Sequence, residues 1–522
     1  MKNLMQAQLK KMSQSSVEQI QKLLIINSLV FLMISVVTYL LGYQSAFYLR
    51  FGPSLYLVSS LLVFFISLFA NNFMSPMIWF SLGSGVFFGV GALAASFHVQ
   101  THSYYLFGDS IDFLSKVNVL NSLTVTVVTL TYIFFQKFLG LDKKTASYVE
   151  HFYQEKKGLL AQNIQPIVWV LFVFAFVSVL LKILYFPYPQ ALLARSFLTK
   201  LYFVTPTFIW LSVCFWQRLN RILKFLFGLV LILEFFVALM AFSKLSFLTL
   251  FLAFFIGILV HKKPIRYFIS GVFLIAVLFY ALSPIISLGR NHALYDAEKN
   301  TIKERVIIFS EVTSVVFDPT QAMSTKMKTD SGETVLTDLD YQQRLSFVNR
   351  VKNIGTRFDV PTVQAYLIRE FDQGRRGTSL DQFWAVFVPR VFWSAKPNVT
   401  RFGSELNGDF YYETGKGFKQ TSSSLAPSFN GEAYWNFGYS GVVAVSFLLG
   451  IMLLYFSFEA SQFFSGKTLG YLVILYQVVL WSANVEAWFV GSFLGEFVIY
   501  FVLANGLNSL LFFKKYINLV KA

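Results

Sequence analysis

Ten arginines fall between positions 289 and 430: Arg290, Arg305, Arg344, Arg350, Arg357, Arg369, Arg375, Arg376, Arg390 and Arg401. Arginine offers phosphate a planar two-pronged set of donors and keeps its charge at any cellular pH. A cluster of them suits a diphosphate. Arg350 and Arg357 are seven apart, which on an unbroken helix is one face, although Gly355 stands between them. The competing account is a solvated surface whose charge is balanced by Asp330, Asp338, Asp340, Asp359, Asp372 and Asp381. That account covers Arg344, Arg350 and Arg390 least well.

Two short stretches are more specific. In Val388-Pro-Arg-Val-Phe-Trp-Ser-Ala-Lys-Pro397, two prolines fix the backbone around Arg390, Trp393 and Lys396. Two cations and an indole held in a short turn fit a phosphate with a sugar or lipid beside it. The plainer alternative is a corner that docks the segment on a membrane. The second stretch runs from Ser422 to Gly441 and leads into an apolar helix with Glu432 in its first turn. A carboxylate there complements the helix dipole. It could equally serve as the base for a sugar hydroxyl. His292, two residues after Arg290, is a second candidate for proton transfer. His98 and His102 are four apart but lack a third ligand, so no metal site is expected. The one cysteine, Cys214, lies in an apolar run. The sequence carries no phosphate-binding loop, dinucleotide fingerprint, nucleophile elbow or zinc-protease motif. That argues against an ATP-driven pump and against direct use of nucleotide sugars.

The elements that must position these residues are membrane helices. The chain is 56% hydrophobic and 13% charged, with mean hydropathy +0.58. A soluble domain carries about 25% charge. A spanning helix needs roughly 20 apolar residues, since each adds about 1.5 Å across about 30 Å of hydrocarbon. About twelve such runs are visible, the first beginning at Leu23 and the last ending at Phe512. Glu234 falls inside one of them, and Glu486 and Glu496 lie near the ends of the last two. Such residues are costly in a membrane and are either functional or paired with a neighbouring helix.

With the N-terminus inside, the cytoplasmic loops gather Lys143, Lys144, Lys156, Lys157, Arg218, Arg221, Lys262, Lys263 and Arg266, with Lys514 and Lys515 at the end. This is the asymmetry that orients membrane proteins, and it accounts for much of the net charge of +16 without nucleic acid. The expected organisation is residues 1–288 as nine transmembrane helices, 289–430 as a large external loop carrying the site, and 431–522 as three more helices. A loop of that length should be folded or functional. Leu345, Val348 and Val351 recur every three residues, Thr362 to Glu370 reads as helix, and Gly403 to Ser428 reads as irregular. Trp384, Trp393, Phe402, Tyr411 and Tyr412 point to packing against a membrane surface or sugars.

Leu288-Gly-Arg290, the Pro389-Arg390 to Lys396-Pro397 segment, and Ser-Ser-Leu-Ala-Pro followed by Gly-Glu-Ala-Tyr and Asn-Phe-Gly between Ser423 and Gly438 together resemble the Wzy-type O-antigen polymerases. Ser394 stands where many of that family have proline. The resemblance implies an all-α integral membrane protein with a GT-C-like membrane glycosyltransferase fold. It implies a bacterial inner-membrane enzyme with both termini cytoplasmic. Its substrates would be undecaprenyl-diphosphate-linked oligosaccharides, joined at the periplasmic face, with a chain-length regulator as a further partner besides membrane lipids. By that analogy Arg290, Arg344, Arg350, Arg390 and Lys396 hold the diphosphates, and Glu432 or His292 deprotonates the acceptor. An O-antigen ligase and a lipid-linked sugar transporter are the competing functions.

Overall fold

A computed structural model of the chain describes residues 2–42, 46–69, 75–95, 110–141, 164–184, 204–242, 244–259, 264–292, 301–317, 326–329, 332–335, 360–388, 392–393, 396, 427–464 and 470–521. The described residues of the twelve apolar runs are mostly helical. Eight helices are long and apolar enough to cross a membrane, and two shorter ones, Val204–Cys214 and Thr249–Ile258, are apolar. Their outward faces carry side chains such as Met33, Phe47, Val58, Phe134 and Phe225, all well exposed. The helical segments at positions 17–40 and 47–68 thus bury one face only, as helices with lipid on the other side do, whereas the segment at 113–138 is buried over most of its surface.

The chain packs as two compact units, residues Met1–Lys156 with Gly355–Ala522, and Lys157–Ile354. The first unit contains α1 (Lys2–Leu40), α2 (Ala46–Phe69), α3 (Pro76–Ser84, continued through a π-helical stretch, Gly85–Val90) and α4 (Ser110–Phe138). The second holds α5 (Ile164–Leu184), α6 (Val204–Cys214), α7 (Arg221–Met240), α8 (Lys244–Leu259), α9 (Pro264–Asn291) and α10 (Ile302–Phe317). It also holds an antiparallel hairpin, β1 (Lys326–Thr329) and β2 (Gly332–Val335), paired Lys326 to Val335 and Thr329 to Gly332. Apart from this short hairpin the described elements are helical, in line with the all-α expectation. The first unit resumes with α11 (Val360–Asp372), a 3₁₀ helix (Ser379–Phe387), α12 (Phe429–Phe464) and α13 (Leu475–Ala483). A π-helical turn (Phe489–Leu494) then runs directly into α14 (Gly495–Lys521).

In the first unit α12 packs along α4, and α11 lies on both. α11 begins with Pro361 in its first turn, where a missing N–H costs nothing. It confirms the helix read over Thr362 to Glu370. It buries Val363, Tyr366, Leu367 and Ile368. It stops in a paired-bond cap: the Arg375 N–H reaches the Glu370 carbonyl at 2.9 Å, and Gly374, at φ +83°, bonds to Phe371. Residues 345–351 and 403–426 lie outside the described residues.

α12 is two helices joined at Gly438, whose φ of 62° and ψ of −150° no residue with a side chain adopts readily. A Cβ added at this position would press on the Phe371 ring at 3.0 Å.

In the second unit α10 lies on the C-terminal ends of α7 and α9, sharing a core of Phe242, Ile285, Ile286, Leu288, Ile308 and Val312. The Phe242 ring presses on Gly289, where an added Cβ would meet Cε1 at 2.2 Å. This gives a packing reason for glycine between Leu288 and Arg290.

Candidate functional site

The first unit gathers a buried polar knot where α4, α11 and the start of α12 meet. Asn121 and Thr124 come from α4, Gln364 from α11, and Ser428 and Asn430 from the entry to α12; all are buried. Asn121 and Gln364 pair their amides reciprocally, Nδ2 to Oε1 at 3.0 Å and Nε2 to Oδ1 at 2.9 Å. The Gln364 amide also reaches Ser428 Oγ at 2.6 Å and Asn430 Oδ1 at 2.9 Å. Asn430 donates to Asn121 Oδ1 at 2.7 Å and to Thr124 Oγ1 at 3.1 Å. Ser428 donates to Asn430 Oδ1, and its main-chain N–H bonds to the Glu486 carbonyl at 3.0 Å. Its φ is +69°, a strained value for serine that the surrounding bonds over-determine. A buried network of this kind fixes one arrangement, because any member left unpaired costs its full desolvation.

That knot presents the next residue of interest. Glu432, in the first turn of α12, is buried. Its Oε2 accepts the Phe489 main-chain N–H at 2.5 Å. Ser379 and the Val490 N–H stand close to the same carboxylate. Its Oε1 is buried with no hydrogen bond among the described residues. Phe489 opens the helical run into α14, so Glu432 caps a helix 57 residues further on, where free N–H groups and the dipole favour an anion. Glu432 also lies in the first turn of its own helix, where the sequence places it.

Around the knot, the segment 375–380 is stitched to α12. The Trp435 indole donates to the Arg375 carbonyl at 3.1 Å, Gly377 N–H to the Trp435 carbonyl at 3.0 Å, and Leu380 N–H to Asn436 Oδ1 at 3.2 Å. Asn436 Nδ2 bonds to Ser379 Oγ at 3.0 Å. Arg375 and Arg369 both pair with Glu370. Burial pushes the Glu370 carboxyl up, but hydrogen bonds and charge from Arg375 and Arg369 outweigh it and hold the group below the ordinary carboxylate value. Arg376 lies over the Phe371 ring at 5.4 Å. Lys116 of α4 meets Asp372 at 2.9 Å, and Asp372 also accepts the Tyr434 hydroxyl at 3.2 Å.

Beyond the 3₁₀ helix, Lys396 folds back so that its Nζ donates to the Val388 carbonyl at 2.9 Å. Its main-chain N–H bonds to Trp393 O at 3.1 Å. The indoles of Trp384 and Trp393 stack with centroids 5.1 Å apart and planes at 10°. These contacts tie Val388, Trp393 and Lys396 into a corner, with Trp393 stacked on Trp384. Arg390 lies outside the described residues.

In the second unit, His292 is buried and its Nε2 lies 3.0 Å from Glu311 Oε2 on α10. Arg290 closes α9, but its side chain is outside the described residues, as are Arg344, Arg350, His98 and His102. Arg305 is fully buried and donates to the Met240 carbonyl at the end of α7 at 3.3 Å, a cation at a helix C-terminus. Glu234 pairs with Lys182 of α5, a partner the sequence reading did not name. Glu496 accepts the Tyr500 hydroxyl at 3.0 Å, one turn along α14. Among the described residues no three His, Cys, Asp or Glu are grouped to hold a metal ion.

Sequence reasoning missed the knot because its members come from three distant parts of the chain. The available signal was the row of polar residues Asn118, Asn121, Ser122, Thr124, Thr126, Thr129 and Thr131 along one apolar run.

A family model described as a domain of unknown function, DUF8712, matches residues 373–515, less than half of the chain. The match takes in the 388–396 corner, Glu432 and the Phe489 helix start. No curated protein and no solved structure matches the chain.

Proposed function

We propose that this protein is a membrane glycosyltransferase that joins undecaprenyl-diphosphate-linked oligosaccharide repeat units into a surface polysaccharide, as the resemblance to Wzy-type polymerases implies. The reading takes all twelve apolar runs of the sequence as spans of a GT-C-like fold in the bacterial inner membrane. It takes the termini as cytoplasmic and the segment 289–430 as periplasmic. The observation that carries it is the 388–396 corner. Lys396 Nζ is held on the Val388 carbonyl, Trp393 stacks on Trp384, and Arg390 falls in the same stretch of sequence, a set of groups suited to a diphosphate joined to a sugar.

In the proposed reaction an acceptor-sugar hydroxyl attacks the anomeric carbon of the growing glycan. The bond from that carbon to the diphosphate breaks, and the electron pair leaves on the diphosphate oxygen. Because the diphosphate is already a good leaving group, the main demand is for cations on its oxygens. Arg290, Arg344, Arg350, Arg390 and Lys396 are proposed to meet it. Glu432 or His292 takes the hydroxyl proton. Glu432 already serves as a helix cap, and its glutamine variant separates that role from a base. A chain-length regulator is a proposed partner.

The test is turnover of lipid-linked repeat units by the purified protein in liposomes. Lengthened lipid-linked glycan and free undecaprenyl diphosphate should appear together. Lys396→Ala should slow both on the order of a hundredfold, the scale for losing one charge-stabilising donor. Failure of wild-type protein to lengthen the glycan would overturn the proposal.

A further inference from the structure

The 3₁₀ helix Ser379–Phe387 is fastened on one side and bare on the other. Its fastened side buries Ser379, Leu380 and Ala385. Leu380 and Ser379 bond to Asn436 on α12. The helix also packs on the π-helical turn that opens α14, and a Cβ added at Gly495 would meet Val386 Cγ1 at 3.8 Å. The helix thus lies across the starting ends of two helices that are apolar enough to cross a membrane.

Its bare side is aromatic. Phe383 and Trp384 are each 50% exposed, Phe387 53%, and Phe392 just beyond it 81%. In a 3₁₀ helix residues three apart eclipse, so Asp381, Trp384 and Phe387 form one row that passes from acidic to aromatic along the axis. Trp393 extends the surface by stacking on Trp384. Water gives no reason to leave four large rings bare in one place. A bilayer interface does, since aromatic rings settle where headgroups meet acyl chains. The residues following the rings, Arg390 and Lys396, carry the charge that phosphate headgroups attract.

We infer that this aromatic surface is a membrane anchor, with Phe383, Trp384, Phe387 and Phe392 seated in the lipid interface and Asp381 on its water side. The inference does not rest on the polymerase reading; it holds equally for a ligase or a transporter. It makes the 388–396 corner a lipid-level feature, so a lipid-borne phosphate need not leave the headgroup plane to reach it.

The experiment uses the whole chain in phospholipid vesicles. Cys214 is the only cysteine, so a Cys214→Ser background accepts single spin labels at Phe392→Cys, Phe387→Cys and Asp381→Cys. Relaxation by oxygen, which partitions into lipid, is compared with relaxation by a water-soluble nickel chelate. The ratio of oxygen to nickel access should be several-fold higher at 392 and 387 than at 381. Phe392 is so exposed that its replacement removes little packing, and Phe387 gives an independent reading. Equal ratios at all three sites would mean the surface faces water. Exclusion of both relaxers at 392 and 387 would mean that another protein surface covers it. Either result overturns the inference.

Discussion

The carboxylate of Glu432, one turn into α12, accepts the main-chain N–H of Phe489, the first residue of the helical run that becomes α14. It joins two segments that the polar knot and the 375–380 stitching also hold. A charge-assisted bond of this kind contributes roughly 1.5–3 kcal/mol. Glu432→Ala should therefore lower thermal stability in detergent by about that much, while Glu432→Gln, which can still accept from Phe489, should lose less. If Glu432→Gln folds normally and matches wild type in the proposed glycan-lengthening assay, the carboxylate acts as a cap. If it folds normally and is inactive, it acts on the substrate as well.

Gly438 offers a cleaner stability test. Its dihedral angles are open essentially to glycine alone, and a Cβ would stand only 3.0 Å from the Phe371 ring. Gly438→Ala should cost about 1–3 kcal/mol, read as a lower unfolding temperature. Unchanged stability would mean that α12 does not turn there.

Glu370 predicts a pH dependence. Its folded value lies below the ordinary carboxylate value of 4.5, because the bonds and charges of Arg375 and Arg369 outweigh burial. A depressed carboxylate stabilises the fold fully above its unfolded value, and that contribution disappears as pH falls through the folded value. Unfolding temperature followed from neutral into acid should decline below the ordinary carboxylate range. Glu370→Gln should flatten part of that decline, and an identical acid limb in the variant would refute the assignment.

Lys182 and Glu234 form an ion pair between α5 and α7, both apolar enough to cross a membrane, with side chains 14% and 11% exposed. Removing one partner from a buried pair leaves an uncompensated charge and costs about 3–5 kcal/mol. Lys182→Met or Glu234→Leu alone should lower the yield of folded protein sharply, and the double variant should recover most of it. Additive losses in the double variant would contradict pairing as the role of Glu234.

What the sequence made legible follows from the range of the forces involved. Helices declared themselves because twenty-odd apolar residues in a row have one economical structure in a membrane. The turn after α11 was local too, although the reading passed over Gly374. The partners of Glu432 and Glu234 were not legible, since Phe489 and Lys182 lie 57 and 52 residues away and nothing in either local pattern marks the pairing. Arg369 and Arg375 show the same limit. As residue types they suited a phosphate, yet both are engaged by Glu370. The corner at Lys396 lies between these cases, because its prolines and indoles announce a rigid turn without fixing what the turn faces.

The most direct test of the proposed polymerase is the surface polysaccharide of a source strain lacking this protein, resolved by gel and complemented with wild type, Lys396→Ala or Arg390→Ala. The account predicts that the ladder collapses to a single attached repeat unit, that wild type restores it, and that well-expressed Lys396→Ala and Arg390→Ala do not. An unchanged ladder in the deletion strain would contradict the account. Loss of all attached sugar with lipid-linked polymer accumulating would contradict it in favour of a ligase.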